Sequence, residues 1–222
     1  MSYHTLLFDL DGTITDPGIG ITNSVMHALK YFGIEVADRS ELYKFIGPPL
    51  MDSFARFYGF SEEDCKKATT YYREYYAVKG LYENEVYDGI EDMLKQLKQA
   101  GFCVGMATSK PEHFAKQIME HFHLTEYFDY IAGSAMDETR TNKAEVIEYA
   151  LEAMKNTDRS GVLMIGDREY DVKGAAQCGI DCMGVLFGYG NRKELESAGA
   201  RYIATQVSDI AKIILAENQI GK

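Results

Sequence analysis

The stretch Leu6-Leu7-Phe8-Asp9-Leu10-Asp11-Gly12-Thr13 closes an apolar run with two aspartates two residues apart. In an extended strand residues i and i+2 face the same side, so this spacing predicts that both carboxylates emerge together while Leu10 turns back to the core. Like charges held that close are unfavourable unless a cation neutralises them or one takes a proton. The pair therefore points to a metal site, an acid/base pair, or both. Gly12 lets the backbone turn sharply and approach a ligand. The plain alternative is a strand followed by an ordinary Asp-Gly surface turn.

Three further polar clusters follow apolar runs: Thr108-Ser109-Lys110-Pro111 after residues 102–107, Lys143 after 130–133, and Gly166-Asp167 after 162–165. In a parallel sheet the carboxyl ends of neighbouring strands share one edge, and ligands bind in the crevice there. The clusters are thus expected to converge. Strand-like runs at 5–9, 102–107, 130–133, 162–165 and 182–186, with a weak edge candidate at 202–204, alternate with helical patterns. That alternation predicts an α/β fold with a doubly wound parallel sheet. Asp88 precedes an apolar stripe at Ile90, Met93, Leu94 and Leu97 that stops at Gly101. A second stripe, Val146, Ile147, Ala150, Leu151 and Met154, places Lys143 at or just before a helix start.

Residues 17–85 separate the first two strands by far more chain than one crossover helix needs. This interval carries Ile21, Val25, Ala28, Leu29 and Phe32 at helical spacing, then the break Ile46-Gly47-Pro48-Pro49-Leu50. Ser61 with Asp64 three residues on marks another helix start. The interval reads as an all-helical domain inserted into a core formed by residues 1–16 and 86–222.

With 222 residues, 46% hydrophobic and 26% charged, the composition is that of a globular protein with one good core plus an insertion. The formal net charge of -11, without a basic run, argues against nucleic-acid and anionic-membrane partners. No apolar stretch reaches the roughly 18 residues that span a bilayer, and Met1-Ser2-Tyr3-His4 lacks the basic lead-in of a signal peptide, so a cytoplasmic protein is expected, monomeric or a small homo-oligomer. Cys65, Cys103, Cys178 and Cys182 form no Cys-x-x-Cys and read as buried free thiols. His121 and His123 lack the spacing of a zinc site. Lys110 reads as part of a surface loop, and Arg168 as a phosphate contact or the partner of Glu169 or Asp171.

Taken in order, these residues resemble the four motifs of the haloacid dehalogenase (HAD) superfamily of phosphotransferases. Asp9 to Thr13 matches the first motif in full, Thr108 the second, Lys143 the third, and Gly166-Asp167 with Asp171 the fourth. The likeness runs over residues 3–214 and is greatest to the phosphoglycolate phosphatase and β-phosphoglucomutase branch. Two positions depart from that branch: Arg168 stands where Ser or Thr is usual, and Thr141-Asn142-Lys143 replaces a Lys-Pro pair.

The resemblance implies a Rossmann-like core with a helical cap and a magnesium-dependent phosphatase acting on a small phosphorylated metabolite. Asp9 is implied as nucleophile and Asp11 as general acid and base, with Mg2+ held by Asp9, Asp167 and the backbone carbonyl of Asp11. Lys143 and Thr108 would stabilise the phosphoryl group, and Asp171 would orient Lys143 or a metal-bound water. Gly12, Thr13, Ser109, Gly47, Pro48 and Arg168 are further candidate substrate contacts. A hexose-phosphate mutase would use the same residues. A phosphoreceiver module fits poorly, since its phosphorylated Asp follows the third strand, where residues 130–135 hold none.

Overall fold

A computed structural model describes residues 3–136 and 139–220. In chain order the elements are β1 (Thr5–Phe8), β2 (Thr15–Asp16), α1 (Gly18–Lys30), α2 (Leu50–Tyr58), α3 (Glu62–Tyr75), β3 (Glu85–Val86), α4 (Ile90–Gln99), β4 (Cys103–Pro111), α5 (Glu112–His121), β5 (Tyr130–Ser134), α6 (Lys143–Ala153), β6 (Val162–Gly166), α7 (Glu169–Gln177), β7 (Asp181–Val185), α8 (Arg192–Ala198), β8 (Tyr202–Ala204) and α9 (Val207–Ile220). The chain divides into two compact units, one of residues 1–15 and 86–222 and the other of residues 16–85.

The first unit is built on a six-stranded sheet in the order β5-β4-β1-β6-β7-β8, parallel at every pairing. β1 lies at the centre and is buried throughout, as its unbroken apolar run requires of a strand covered on both faces. Successive side chains alternate between those faces. Leu7 joins a cluster with Val146, Ile147, Ala150 and Leu151 of α6 and Val172 and Ala175 of α7. On α4, Ile90, Met93, Leu94 and Leu97 are all buried, and α4 packs against α9. From β1 the chain goes to β4 and β5 on one side, then crosses to β6, β7 and β8 on the other. The reversal of direction beside β1 is the topological switch point at which such sheets bind ligands.

Helix starts follow local chemistry. Asn142 caps α6 through the Ala144 amide, with Glu145 reaching back to the Asn142 amide. Ser61 caps α3 through the Asp64 amide, as its spacing predicts. Asp88, expected to open the next helix, does not: α4 begins one residue later, after Gly89 in the left-handed region. β1 ends at Phe8, so Asp9 and Asp11 lie in the turn beyond the strand and not within it.

The second unit is helical and packs itself with aromatic rings. Tyr31 and Tyr71 stack at 3.8 Å between centroids, while Phe45 meets Phe54 edge-on at 5.1 Å. A 3-10 turn (Arg39–Phe45) and α2 flank the Gly47-Pro48 break. The sequence pattern had not resolved either. Cys65, Cys178 and Cys182 are buried free thiols as expected, while Cys103 is only half-buried. Among the described residues no helix is long and apolar enough to cross a membrane.

Because Leu7 sits fully buried on the central strand, Leu7→Ala should destabilise the protein by about 3 kcal/mol, read from urea unfolding followed by circular dichroism.

Candidate active site

Asp9 follows β1 directly, and its amide donates to Ile165 O on β6 at 2.8 Å. This contact sets Asp9 beside the end of β6, where Asp167 emerges. β4, on the other flank of β1, carries Thr108 to Lys110. α6 begins with Lys143, and α7 carries Asp171 in its first turn. Neighbouring strand ends and two helix N-termini thus deliver the first unit's candidate residues to one edge of the sheet.

At the centre lies Lys143, buried. Its Nζ is 2.9 Å from Asp9 Oδ1 and 2.7 Å from Asp171 Oδ1, and it donates to Ala107 O at 3.0 Å. Burial alone would lower its pKa, but the carboxylates of Asp171 and Asp9 outweigh that and raise it, so the ammonium stays charged. One carboxylate oxygen from each of Asp9, Asp167 and Asp171 lies within 4.8 Å of the other two. Asp167 is fully buried, and its Oδ1 has no hydrogen-bond partner among the described residues. Desolvation, and then the charges of Asp171 and Asp9, push its pKa well above the usual carboxylate range.

Asp11 faces a second cation. Its Oδ2 is 2.8 Å from Lys110 Nζ, and both side chains are buried. The expectation of a surface position for Lys110 is therefore corrected: an exposed side chain would leave Asp11 buried without that partner. Desolvation raises the Asp11 pKa, against the lowering pull of Lys110. Thr108 is buried, and its Oγ1 accepts from the Lys110 amide at 3.3 Å. Thr13 is also buried, and Ser109 half-buried. Gly47 and Pro48 belong to the other unit. Arg168 pairs with Glu194, a residue its sequence neighbours did not suggest, at 2.9 Å.

The loop after β7 joins this group, although sequence reasoning missed it. The Tyr189 amide donates to Asp167 Oδ2 at 2.7 Å. A Cβ on Gly190 would stand 1.9 Å from Asp167 O, and one on Gly12, where φ is +80°, would stand 2.3 Å from Asp167 Oδ2. A side chain at Gly12 would displace the carboxylate, and one at Gly190 would collide with the Asp167 backbone carbonyl. The signal was available: Gly188-Tyr189-Gly190 follows an apolar run, as the other four clusters do.

Four buried carboxylates, Asp9, Asp11, Asp167 and Asp171, meet two ammonium groups, Lys110 and Lys143. With all six ionised, two negative charges remain, the charge that one divalent cation offsets. An all-oxygen donor set with an unpartnered buried carboxylate oxygen suits a hard cation such as magnesium.

The chain belongs to the haloacid dehalogenase-like hydrolases, whose family model matches residues 6–185. It is thus a hydrolase by family. A 5'-nucleotidase of Pseudomonas aeruginosa is 42% identical over 96% of this chain and 96% of its own length. The crystal structure of a predicted phosphatase from Clostridium acetobutylicum superposes with a TM-score of 0.95 at 50% identity, covering 97% of this chain and 100% of that one. The tyrosine-protein kinase PtkA of Mycobacterium tuberculosis is 38% identical over 83% of this chain, which spans 62% of PtkA.

A proton–cation exchange follows from the raised carboxyl pKa values. Burial, opposed by Lys143 and reinforced by Asp9, lifts Asp171 from 3.8 to about 6. Its neutral form is favoured in the fold, so its stabilising contribution is complete below pH 3.8 and is lost as pH rises to about 6. Metal-free protein should therefore lose part of its stability across that window, and Asp171→Asn should flatten the loss. Magnesium should bind more tightly as pH rises through the same window and should release protons. Thermal melts with and without magnesium, and calorimetry in buffers of different ionisation enthalpy, measure these effects.

Proposed function

We propose that this hydrolase is a magnesium-dependent phosphatase of the cytoplasm, cleaving a small phosphate monoester through an aspartyl-phosphate intermediate on Asp9. The observation that carries the reading is the buried Asp9–Lys143 ion pair at 2.9 Å, set among Asp167 and Asp171 with Asp11 two residues on. A phosphate monoester repels nucleophiles through its own charge, so a catalyst must first offset that charge. Asp9 and Asp167, with the backbone carbonyl of Asp11, would hold the magnesium ion, which when bound neutralises phosphoryl oxygens.

The protein groups do the rest. A carboxylate oxygen of Asp9 attacks phosphorus as the ester P–O bond breaks, and Asp11 delivers a proton to the departing oxygen. Asp11 then takes a proton from water, whose oxygen attacks the aspartyl phosphate, freeing Asp9 and inorganic phosphate. Lys143 holds Asp9 in place and adds positive charge beside the transferring group, while Asp171 fixes Lys143. The Thr108 hydroxyl is suited to donate to a phosphoryl oxygen.

Substrate choice is assigned to residues 17–85, read as a cap domain. Their 8 Lys and Arg against 10 Asp and Glu give a charge of -2, leaving -9 of the total -11 to the rest of the chain. A near-neutral, aromatic-rich cap favours small metabolites over polymers. We rank nucleoside monophosphates and phosphoglycolate-like acids above hexose phosphates. The full-length likeness to a 5'-nucleotidase supports that order.

Asp9→Asn should leave the fold intact by circular dichroism and reduce hydrolysis of an aryl phosphate to below about a hundredth of wild type, since an amide is a poor nucleophile. Activity of the wild-type protein should vanish with a chelator and return with magnesium. On a panel of nucleoside 5'-monophosphates, phosphoglycolate, hexose phosphates and a phosphotyrosine peptide, phosphate release should be fastest with the first two classes. Sugar-phosphate interconversion without free phosphate would establish the mutase instead, and preference for the peptide would reject a small-metabolite phosphatase.

A further inference from the structure

α7 opens on a residue unsuited to its place. The N-cap position is Arg168, whose backbone is extended at φ -122° and ψ 159°. A helix leaves its first amides without intrahelical acceptors, and Ser, Thr, Asp or Asn at the N-cap normally supplies one. Arginine carries only donors and can supply none.

The acceptor comes from another helix. Glu194, in the first turn of α8, accepts with a single oxygen, Oε1, from the Glu169 amide at 2.9 Å and from Arg168 Nε at 2.9 Å. Glu194 is itself fixed, because its amide donates to Asn191 Oδ1 at 3.0 Å and its neighbour Leu195 is buried in the core. Asp167 immediately precedes this clasp. The Tyr189 amide, from the loop leading into α8, holds the Asp167 carboxylate, and Asp171 Oδ2 accepts from the Arg168 amide at 3.0 Å.

We propose that Glu194 is a positioning residue for the cation-binding end of the site: acting across from α8, it caps α7 where Arg168 cannot and so fixes the turn that carries Asp167 and Asp171. The inference rests on the magnesium-site reading given above. Arg168 then serves as the clasp through which Glu194 acts, and not as a reader of substrate.

Glu194→Ala removes the acceptor, whereas Arg168→Ser places one at the N-cap itself. In Glu194→Ala, magnesium at half-maximal aryl phosphate hydrolysis should rise on the order of tenfold. Hydrogen exchange over residues 166–177, read by mass spectrometry without added metal, should quicken about fivefold for the amides of the first turn. Adding Arg168→Ser to Glu194→Ala should draw both readouts back toward wild type. Adding Arg168→Ala should not, because it removes the guanidinium without supplying an acceptor. Should Glu194→Ala fail to fold, Glu194→Gln with and without Arg168→Ser gives the same comparison, with a smaller effect because one acceptor oxygen remains. Unchanged exchange in the Glu194 variant, or rescue by Ala equal to rescue by Ser, would overturn the proposal. If wild-type activity proved independent of magnesium, the cofactor reading would fall, and the metal-free exchange data would still decide whether Glu194 caps α7.

Discussion

Burial of more negative than positive charge is the constraint on which the first unit depends. Asp9, Asp11, Asp167 and Asp171 are all buried, and Lys110 and Lys143 are the ammonium groups set against them. Removing charges from water is unfavourable by several kcal/mol per ion, recovered only through close pairing and full hydrogen bonding. Here pairing is incomplete by two charges. The raised carboxyl pKa values of Asp11, Asp167 and Asp171 express the same imbalance, since a proton is one way to settle it and a divalent cation another. Lys143 shows how strongly the arrangement is specified. As the first residue of α6 it sits at the positive end of a helix dipole, an unfavourable place for a cation. Ion pairs to Asp9 and Asp171 and a hydrogen bond to Ala107 O hold it there.

Such a density of carboxylates needs backbone close by, and that need explains the residues around Asp167. The turn at Gly12 and the loop at Gly188 and Gly190 approach so closely that a Cβ at any of the three would lie within 2.5 Å of Asp167 or of the neighbouring backbone. The approach also lets the Tyr189 amide reach Asp167 Oδ2. Packing and electrostatics are thus one requirement: the donor that steadies the carboxylate arrives only where side chains are absent.

The sheet and the edge at which the candidate residues gather were legible because both are written locally. Short apolar runs between amphipathic stripes give the strands, and a polar cluster after each run gives the edge. Strand boundaries shifted by a residue or a few, most at β4, which continues through Thr108 to Pro111 past a register shift after Ala107. What stayed hidden depends on long-range contacts. Lys110 looks like a loop lysine until Asp11, 99 positions away in the chain, is set 2.8 Å from it. Arg168 has acidic neighbours on its own helix, yet it also pairs with Glu194, 26 residues on. Local charge pattern cannot rank those partners, because the choice follows from how α7 and α8 pack on the sheet.

The division of the chain separates two demands that would otherwise conflict. Asp9, Asp11, Thr108, Lys110, Lys143, Asp167 and Asp171 all belong to the unit of residues 1–15 and 86–222, so the buried charge network closes within one unit, along one edge of its parallel sheet. The inserted unit is held by a different interaction, the packing of aromatic rings such as Tyr31 on Tyr71 and Phe45 on Phe54. Ring packing tolerates exchange of one apolar side chain for another of similar size, whereas a buried ion pair does not tolerate loss of either partner. Variation in the insertion therefore perturbs a forgiving core, and variation in the sheet edge perturbs an unforgiving one. On the function proposed above, a chain built this way can vary its insertion without disturbing the charges at the sheet edge.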